Sequence, residues 1–508
     1  MLSRSKVLLI YPQMGLHGQI VKHAPLGLIY AASALVENKV PVQIFDLRLY
    51  GRNWQQSLAA LISKELLLVG ISIMSGIPIT CAREIAMLVK EQDRAIKIVC
   101  GGPHATFYPE SLFEEKNFDY VISGYGSKPL YALYCALKNN LKDLTIPGLS
   151  FREEKIKGKI VTISVENSFE FIPYKKIPYN LIADYSPYGH LNQKKIVFSI
   201  YSVLGCLYNC AFCSSPAFYK NFKKKIYLIP VEEVVEHIAF LVETYSVDTI
   251  YFIDDDSFVN LKHMEKILQL LHSRQLKLEL SFRGARISEI KKMNEQFLLQ
   301  LEAAGTRFMH IGVESGSDRL LKMIHKDSSY EEIVACNKKL ARYKKIVPIY
   351  NFVLGLPGET IEDIKVTMKL MLQLLEDNSN CLFPTPNRYI PIHKTKLCEL
   401  VEEKYGYSPA KNLLQWSKLQ GEQWEYDLPW ISRKQKKYHN MLILISNFID
   451  NKIVKTLEGK GALLALFKFL NTLYRPFAMF RLRKGSVVFL WEIFFYNMAK
   501  PLLVRLFK

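Results

Sequence analysis

The sequence lacks several features that would assign a chain to a class at once. It has no uncharged apolar run of about 18 residues, the length that a membrane-spanning helix needs. It shows no internal repeat and no low-complexity tract. The apolar stretch Val7–Tyr11 is too short for the core of a signal peptide. These absences exclude a clear transmembrane span and a repeat architecture, and they predict a cytoplasmic protein that begins with a strand.

Acidic residues and paired cysteines are also scarce. The chain has 48 Asp and Glu against 67 Lys and Arg, a net charge of +19. This balance favours an anionic partner such as a phosphorylated substrate, nucleic acid or an anionic membrane, although a lysine-rich solvated surface has the same composition. The nine cysteines are odd in number and mostly scattered, which argues against a disulfide framework. A hydrophobic content of 49% is globular, and 508 residues predict two or three domains.

Short β-branched runs alternate with helical patterns over residues 1–140. This alternation predicts a Rossmann-like, doubly wound parallel sheet of about five strands. Ligands of such sheets bind where the strands end, and the candidate residues there are Ser72, Gly101, Gly102, His104, Gly124 and Gly126. Residues 141–193 are rich in turn-forming proline and predict a linker with a small hairpin.

The alternation resumes over residues 194–390, with five or six strand–helix units. A full barrel has eight, so this region predicts a partial (β/α)6 barrel. Residues 391–508 predict a mainly helical region. From Gly461 to Lys508 it has eight basic residues, one acid and many aromatics, a composition that suits the interface of a membrane. The alternative is a helical subdomain that packs on the barrel.

Three cysteines stand within eight residues, in the pattern Cys206-x3-Cys210-x2-Cys213. They follow the first strand of the predicted barrel, at the end where such barrels place active sites. No fourth cysteine lies nearby, whereas a [4Fe–4S] cluster is usually held by four. The spacing therefore predicts a cluster with one open iron. Zinc is the competing metal, but structural zinc sites favour two cysteine pairs.

This C-x3-C-x-Phe-C pattern at the first strand of a partial barrel resembles that of the radical S-adenosylmethionine (SAM) enzymes. The resemblance extends over residues 195–390. It implies that the three cysteines hold a catalytic cluster whose open iron binds SAM. It also implies that an electron from the cluster cleaves SAM to a 5′-deoxyadenosyl radical.

The ends of the later barrel strands carry polar residues that the resemblance assigns to SAM. Three adjacent acids after the second strand require a nearby cation, which the amino group of SAM would supply, although Asp256 or Ser257 could instead cap the next helix. An arginine follows the third strand, a Glu-Ser pair the fourth and a Gly-Leu-Pro-Gly turn the fifth. The SAM-binding residues predicted in this way are Phe212, Asp254, Asp255, Arg286, Glu314, Ser315, Gly355, Leu356 and Pro357.

The first domain, with its segment Val99–Thr106, resembles the cobalamin-binding domain that precedes some radical SAM barrels. The resemblance implies that the glycine turns at the sheet edge admit the nucleotide tail of cobalamin. Better-known cobalamin domains carry Asp-x-His-x-x-Gly, whose His ligates cobalt. Here Asp46–Gly51 has Arg48 in that place, and a protonated arginine cannot be a ligand. We therefore expect no cobalt ligand from this motif, and we expect His104 to bond the cobalamin tail or to serve its loop.

The two resemblances together imply a cobalamin-dependent radical SAM enzyme that methylates an unactivated carbon. Radical cyclisation or oxidation by the same architecture stays open. A methylthiotransferase would need a second cysteine cluster in the first domain, and Cys81, Cys100 and Cys135 lie on different elements. The intact triad disfavours a non-catalytic cofactor-binding protein.

The expected cofactors are a [4Fe–4S] cluster, SAM and cobalamin. The expected partners are a small-molecule or lipid-linked substrate and an electron donor of the flavodoxin or ferredoxin type, with no nucleic acid. The expected location is the cytoplasm, either free or peripheral on the inner face of the membrane through the C-terminal region.

Overall fold

The computed structural model describes residues 4–15, 21–153, 159–166, 168–190, 195–419, 428–450, 462–488 and 490–493. These residues form two compact units. The first contains the chain up to Tyr188 together with the later segment 408–419, and the second contains most of the rest. The phenylalanines at 489, 494, 495 and 507 and the tyrosine at 496, which contribute to the predicted membrane contact, lie outside the described residues.

The first unit is built on a seven-stranded sheet. Its strands are β1 (Lys6–Tyr11), β2 (Val42–Asp46), β3 (Leu66–Ser72), β4 (Lys97–Gly101), β5 (Tyr120–Ile122), β6 (Leu149–Glu153) and β7 (Lys159–Thr162). They are arranged in the order β2-β1-β3-β4-β5-β6-β7, and β1 to β5 are parallel. In β1 four successive residues are buried, as expected for a parallel strand covered on both faces.

The structure confirms the predicted doubly wound sheet and extends it. The hairpin of the predicted linker forms β6 and β7, which add to the sheet in antiparallel orientation. The helices of this unit are α1 (Leu26–Glu37), α2 (Trp54–Ala59), α3 (Ile77–Gln92), α4 (Pro103–Phe107) and α5 (Ser127–Lys138). Single 3-10 turns lie at Leu47–Leu49, Gly51–Asn53, Pro109–Glu114, Tyr174–Lys176 and Tyr179–Leu181.

A short helix from the C-terminal part of the chain, Leu413–Ser417, returns to this unit and packs against α3. The ring of its Trp416 lies 4.0 Å from that of Tyr108 and 5.4 Å from that of His104. The backbone N–H of Leu413 donates to the carboxylate of Glu114 at 2.9 Å. The segment thus completes the first unit from a distant part of the sequence, which local patterns do not indicate.

The second unit contains a six-stranded, all-parallel sheet and a small hairpin. In chain order the strands are β8 (Val197–Ile200), β9 (Val203–Gly205), β10 (Ile226–Leu228), β11 (Thr249–Phe252), β12 (Glu279–Ala285), β13 (Thr306–Glu314), β14 (Val347–Leu354) and β15 (Asn387–Arg388). The sheet has the order β8-β11-β12-β13-β14-β15, and β9 pairs with β10 in the hairpin. The predicted partial (β/α)6 barrel is thereby confirmed.

Helices connect the parallel strands of this sheet, and one further helix follows the last strand. They are α6 (Ser214–Phe218), α7 (Val231–Tyr245), α8 (Leu261–Ser273), α9 (Ile287–Lys292), α10 (Glu295–Ala303), α11 (Asp318–Met323), α12 (Tyr330–Leu340), α13 (Ile361–Asp377) and α14 (Lys396–Tyr405). The N-cap of α8 is Asn260, whose side chain accepts from the N–H of His263. The expectation that Asp256 or Ser257 caps this helix is therefore wrong, because the strand end is followed by a longer turn.

The described part of the C-terminal region is mainly helical, as predicted. Helices α15 (Arg433–Ile445) and α16 (Ala462–Lys484) contact each other, and both contact α13 of the barrel. This part of the region therefore packs on the barrel as a helical subdomain. No helix within the described ranges combines the length and the apolar character that crossing a bilayer requires.

Candidate active site

The three clustered cysteines lie in one loop at the carboxyl end of the barrel sheet. Gly205 ends β9 with φ +88°, a conformation that favours glycine, and the chain turns there into Cys206. Cys210 is buried, while Cys206 and Cys213 are half-buried. In the described part of the chain, no three His, Cys, Asp or Glu side chains converge closely enough for one metal ion. A cubane differs from such a site because each thiolate binds a separate iron.

A chain of contacts holds this loop against the third barrel strand. Arg286, just after β12, donates from Nη1 to Sγ of Cys210 at 3.1 Å. Its guanidinium lies 3.6 Å from the ring centroid of Tyr208, which is a residue of the loop. The hydroxyl of Tyr208 in turn donates to the buried carboxylate of Glu289. Hydrogen bonds to cluster sulfurs are one of the means by which a protein tunes an iron–sulfur centre.

The electrostatic surroundings of the loop contain both signs of charge. Burial, and then the nearby charges of Asp256 and Asp255, raise the pKa of the Cys206 thiol, while Arg286 opposes the rise. A thiolate at this position therefore needs a positive charge beside it, and a bound iron would supply that charge.

Asp254 anchors the segment that leads to the cysteines. One of its carboxylate oxygens accepts from the N–H groups of Ser202 and Val203 at 2.8 and 3.0 Å. The other accepts from the Ser202 hydroxyl at 2.7 Å. Burial raises the pKa of Asp254 to about 6, and these hydrogen bonds oppose that rise. Both oxygens are thus engaged within the protein, and the predicted contact of Asp254 with SAM stays a prediction.

The neighbouring acids differ from Asp254 in their partners. Asp255 is exposed at the same strand end. Asp256 is fully buried; one oxygen accepts from the N–H of Phe258 at 3.0 Å, and Oδ2 has no partner among the described residues. The Nε of Arg286 is likewise buried and unsatisfied. Buried polar atoms in native proteins rarely stay without a partner, so an acceptor and a donor near the cysteines are available for a polar ligand.

A buried ion pair occupies the end of the fourth barrel strand. Nζ of Lys326 lies 2.8 Å from Oε1 of Glu314, and both side chains are at least nine-tenths buried. Glu314 has φ +68°, which is strained for a residue with a side chain. A Cβ at Gly312 would lie 2.4 Å from that carboxylate oxygen and 2.7 Å from the lysine nitrogen. An alanine at 312 would therefore force the ends of the Glu314 and Lys326 side chains to shift.

The predicted Ser315 and the glycine turn have partners of their own. Oγ of Ser315 accepts from the N–H of Ser317 at 3.1 Å, and Thr367 lies 3.3 Å away. In the turn Gly355–Gly358, the N–H of Gly355 donates to Glu359, whose carboxylate also lies 2.6 Å from Nε2 of His439. Helix α15 thus helps to hold the turn that includes Leu356 and Pro357, while Phe212 is half-buried in the cysteine loop.

Glycines at the carboxyl edge of the sheet in the first unit allow neighbouring backbone segments to approach each other closely. Gly102 has φ +92°, and a Cβ there would lie 3.0 Å from the N and O atoms of Ile73 and from the hydroxyl of Ser72. Gly101 ends β4 beside Ser72, and Gly124, with φ +82°, follows β5. Gly126 lies just before α5. Three adjacent parallel strands thus end in small residues at the edge where sheets of this kind bind their ligands.

His104 is engaged within its own loop. Its Nδ1 lies 2.8 Å from the hydroxyl of Ser75, and its Nε2 lies 3.0 Å from that of Ser111. Burial lowers its pKa to about 4, so the ring is neutral at pH 7. With both nitrogens in hydrogen bonds, the ring serves the loop, one of the two roles expected from the sequence.

Arg48, which replaces the ligating histidine of better-known cobalamin domains, is also accounted for. It forms a buried bidentate pair with Asp46, with N–O distances of 2.9 and 2.6 Å. The guanidinium lies 4.2 Å from the ring centroid of Tyr11, and the Tyr188 hydroxyl donates to Asp46 at 3.1 Å. Residues 46 and 48 therefore stabilise the turn after β2.

Comparison with protein families resolves what the two units are. The family model for the B12 binding domain matches residues 21–134, and the model for the Radical SAM superfamily matches residues 200–371. The chain belongs to the cobalamin-binding radical SAM enzymes. This confirms the predicted family, the enzyme class and the three cofactors, which are a [4Fe–4S] cluster, SAM and cobalamin. It also implies a small-molecule substrate and an external reductant.

Individual relatives cover most of the chain. A protein of Pyrococcus horikoshii named as an uncharacterized methyltransferase is 28% identical over 71% of this chain and 76% of its own length. The anaerobic magnesium-protoporphyrin IX monomethyl ester cyclase of Rubrivivax gelatinosus is 25% identical over 64% of this chain and 58% of its own length. The solved structure of OxsB, a cobalamin-dependent SAM radical enzyme with aqua-cobalamin and SAM bound, has a TM-score of 0.71 at 15% identity. It covers 98% of this chain and 75% of that one, and it confirms the fold.

Several residues of this site were not found from the sequence. Lys326 and Glu289 lie in segments without a motif, and Tyr208 is one of the variable positions between Cys206 and Cys210. Only the folded chain brings Lys326 to Glu314, and Tyr208 and Glu289 to Arg286. For Asp256, the sequence offered only the possibility that it or Ser257 caps the next helix. The run of three adjacent acids could have identified Asp256 as a site residue. Local partners satisfy at most one or two of three neighbouring carboxylates, so a third is left for a ligand.

The first prediction concerns the space beside the buried ion pair. We expect Gly312→Ala to displace the Glu314 carboxylate and to weaken SAM binding at least about tenfold, because even one extra carbon overpacks a filled site. Equilibrium dialysis of SAM with the reconstituted protein measures this. The control is Gly27→Ala, where an added Cβ meets nothing within 4 Å and SAM binding should not change. Equal SAM affinity in both variants would contradict the assignment of Glu314 to the site.

The second prediction concerns the cobalt ligand. We expect the EPR spectrum of the cob(II)alamin-loaded protein to show no nitrogen superhyperfine splitting from a histidine, so that His104→Gln leaves the spectrum unchanged, because Arg48 cannot ligate cobalt and both nitrogens of His104 are in hydrogen bonds. A nitrogen-split spectrum that His104→Gln abolishes would show that the histidine leaves its loop to bind cobalt. Hydroxocobalamin should still bind in either case, as seen by its absorbance after desalting.

Proposed function

We propose that the enzyme methylates an unactivated carbon of its substrate. The observation that carries this proposal is that one chain holds both the three-cysteine barrel loop and a B12-binding sheet. The Pyrococcus relative, named as a methyltransferase, supports it. When bound, the reduced cluster supplies the electron that cleaves SAM, and cobalamin supplies a carrier for the methyl group.

The residues of this chain have separate tasks in that proposal. Cys206, Cys210 and Cys213 hold the cluster, and Arg286 supports Cys210 through its hydrogen bond to the sulfur. Asp256, through its unsatisfied Oδ2, and Glu314 would supply carboxylates for the polar groups of SAM. Asp254 positions the segment before the loop through its hydrogen bonds to Ser202 and Val203.

A soluble one-electron donor of the flavodoxin or ferredoxin type fits the position of the loop. The side chain of Leu207, next to Cys206, is 55% exposed. The cysteine loop therefore reaches the protein surface, which shortens the distance to an external donor. Cytoplasmic location agrees with this choice of donor and is part of the proposal.

Radical cyclisation or oxidation is the second candidate, and the name of the Rubrivivax relative favours it. The products of SAM separate the two. Methylation consumes SAM as the methyl source and releases S-adenosylhomocysteine in addition to 5′-deoxyadenosine. Cyclisation or oxidation releases 5′-deoxyadenosine alone. The methylthiotransferase alternative is disfavoured because the first domain matches the B12-binding family over residues 21–134.

The third prediction tests the proposed chemistry. With a chemical reductant and a small-molecule fraction of anaerobic cell extract, the reconstituted wild type should form S-adenosylhomocysteine and 5′-deoxyadenosine. Cys210→Ala should lose the brown absorbance of the cluster and form no 5′-deoxyadenosine, because a cluster with two remaining thiolates is not held. Mass spectrometry and iron analysis measure both outcomes.

The matched control is Cys135→Ala, a half-buried cysteine outside the triad, which should keep the cluster and the SAM chemistry. A full [4Fe–4S] spectrum in Cys210→Ala would contradict the triad assignment. Formation of 5′-deoxyadenosine without any S-adenosylhomocysteine would contradict methylation and favour the second candidate.

We also propose that α16 contacts an anionic membrane surface. Phe469, Leu473, Phe477 and Phe480 share one side of this helix and are each 55–60% exposed. Exposed apolar residues are normal singly, but a helix-long row with basic neighbours such as Lys484 suits an interface that is apolar and negatively charged. Such contact would bring a lipid-linked substrate to the enzyme.

The fourth prediction tests this contact. The double variant Phe469→Ser/Phe477→Ser should bind anionic vesicles at least about tenfold more weakly than the wild type, since two large apolar side chains no longer enter the interface. Co-sedimentation with phosphatidylglycerol-containing vesicles measures it. Leu299→Ser, at a site 53% exposed on α10, is the control and should bind as the wild type. Unchanged binding of the double variant would refute the membrane role.

A further inference from the structure

The inner face of the barrel sheet is polar, in contrast to its outer face. On the outer face the rings of Phe252 in β11 and Phe282 in β12 stack at 4.9 Å and are fully buried against the helices. Because side chains alternate along a strand, the residues next to them point to the inner face. These are the hydroxyl-bearing Tyr251 and the residues on either side of Phe282, namely Ser281 and Arg283.

The register of the strands arranges these inner residues in layers. Ser199 pairs with Tyr251 across β8 and β11, and Tyr251 pairs with Ser281 across β11 and β12. Two residues further toward the carboxyl end, the next inner layer contains Tyr201 and Arg283. This second layer is nearer to the strand ends, where barrels of this kind bind their substrates.

Backbone packing fixes the place of Arg283. A Cβ on the following residue, Gly284, would lie 2.7 Å from the carbonyl oxygens of both Asp254 and Asp255. The glycine therefore lets β12 approach the end of β11 closely, which brings Arg283 beside Asp255. Burial raises the pKa of Tyr201 to about 12, and the positive charge of Arg283 opposes this rise. The same charge opposes the rise that burial causes in the pKa values of Tyr251 and Asp255.

Other polar groups lie further around the same face. The ring of His310 in β13 lies 6.1 Å from that of Tyr251. Asn351 in β14 is half-buried between the fully buried Tyr350 and Phe352 and pairs with Gly312 in register. Arg283 is exposed, and within the described residues it has no ion pair shorter than 4 Å. The lumen thus offers an arginine that lies near one carboxylate, that of Asp255, and near several neutral hydrogen-bonding groups.

Arg283 has no part in the cysteine loop. Arg286, three residues later and beyond a shift in the register of β12, is engaged by Cys210 and Tyr208. The two arginines therefore serve different ligands, although they are close in the sequence. The fork of an arginine matches a carboxylate or a phosphate group with two parallel hydrogen bonds.

We propose that Arg283 is the specificity residue for an anionic group of the substrate, a carboxylate or a phosphate, with Tyr201 and Tyr251 as its hydrogen-bonding neighbours. The proposal deepens the proposed function and rests on it, since it names the class of substrate that the barrel accepts. The binding of such a group at the second inner layer would hold the rest of the substrate at the mouth of the barrel.

The fifth prediction uses small anions as probes of the Arg283 site. The sample is the full chain loaded with the oxidised cluster and hydroxocobalamin, and SAM is present at a saturating concentration so that the SAM site is filled. Isothermal titration with pyrophosphate, phosphate and acetate should show saturable binding of at least one anion to the wild type. Arg283→Gln should weaken it at least about tenfold, because a charge-assisted, bidentate contact is lost. Arg283→Lys, which keeps the charge without the fork, should lie between the two. Preference for pyrophosphate or acetate identifies a phosphate or a carboxylate.

The control is Arg94→Gln, an exposed arginine of the first unit, which should bind the anions as the wild type. No saturable binding to the wild type, or equal binding to Arg283→Gln, overturns the inference. SAM binding and reductive formation of 5′-deoxyadenosine are measured on the same samples. Their absence in the wild type would contradict the proposed function, whereas normal SAM chemistry without anion binding would contradict only the role of Arg283.

Discussion

The attachment of Asp254 to Ser202 and Val203 is the interaction on which the geometry of the barrel site depends. Three hydrogen bonds of 2.7–3.0 Å join the end of β11 to the segment between β8 and β9. That segment leads through Gly205 directly into Cys206. A carboxylate this deeply buried is stable only while its partners are present, because an unpaired buried charge costs several kcal/mol. The start of the cysteine loop is therefore fixed to the sheet before any cofactor binds.

The same principle extends to the other strand ends. At two of these strand ends, a glycine allows the close packing on which the arrangement of charged residues depends. Gly312 leaves room for the pair of Glu314 with Lys326, and Gly284 lets β12 approach β11. Glu314 itself adopts a positive φ, and such strain persists only where the surrounding structure holds it. The site is thus organised by glycines as much as by charged residues.

The sequence allowed the prediction of elements whose pattern is local. β1, β2 and β3 have the bounds that the β-branched runs indicate, because parallel strands covered on both faces are continuous apolar segments. The cysteine spacing identified the cluster for the same reason, since all three ligands lie within one loop. The partial barrel followed from the count of alternating strand and helix patterns.

The features that could not be predicted from the sequence depend on contacts between distant segments. Lys326 has no motif, and its role exists only because the folded chain brings it to Glu314, twelve residues earlier along the chain. The helix Leu413–Ser417 returns to the first unit across a large sequence separation. The sequence indicates a ligand contact for Asp254 but not its hydrogen bonds to the backbone N–H groups of Ser202 and Val203 and to the Ser202 hydroxyl. Arg283 and Arg286 look alike in the sequence, and it is the alternation of β12 and its register shift that direct one to the lumen and the other to the cysteines. In such a barrel, the residue type at a strand end indicates what chemistry is available, and the strand register decides which ligand receives it.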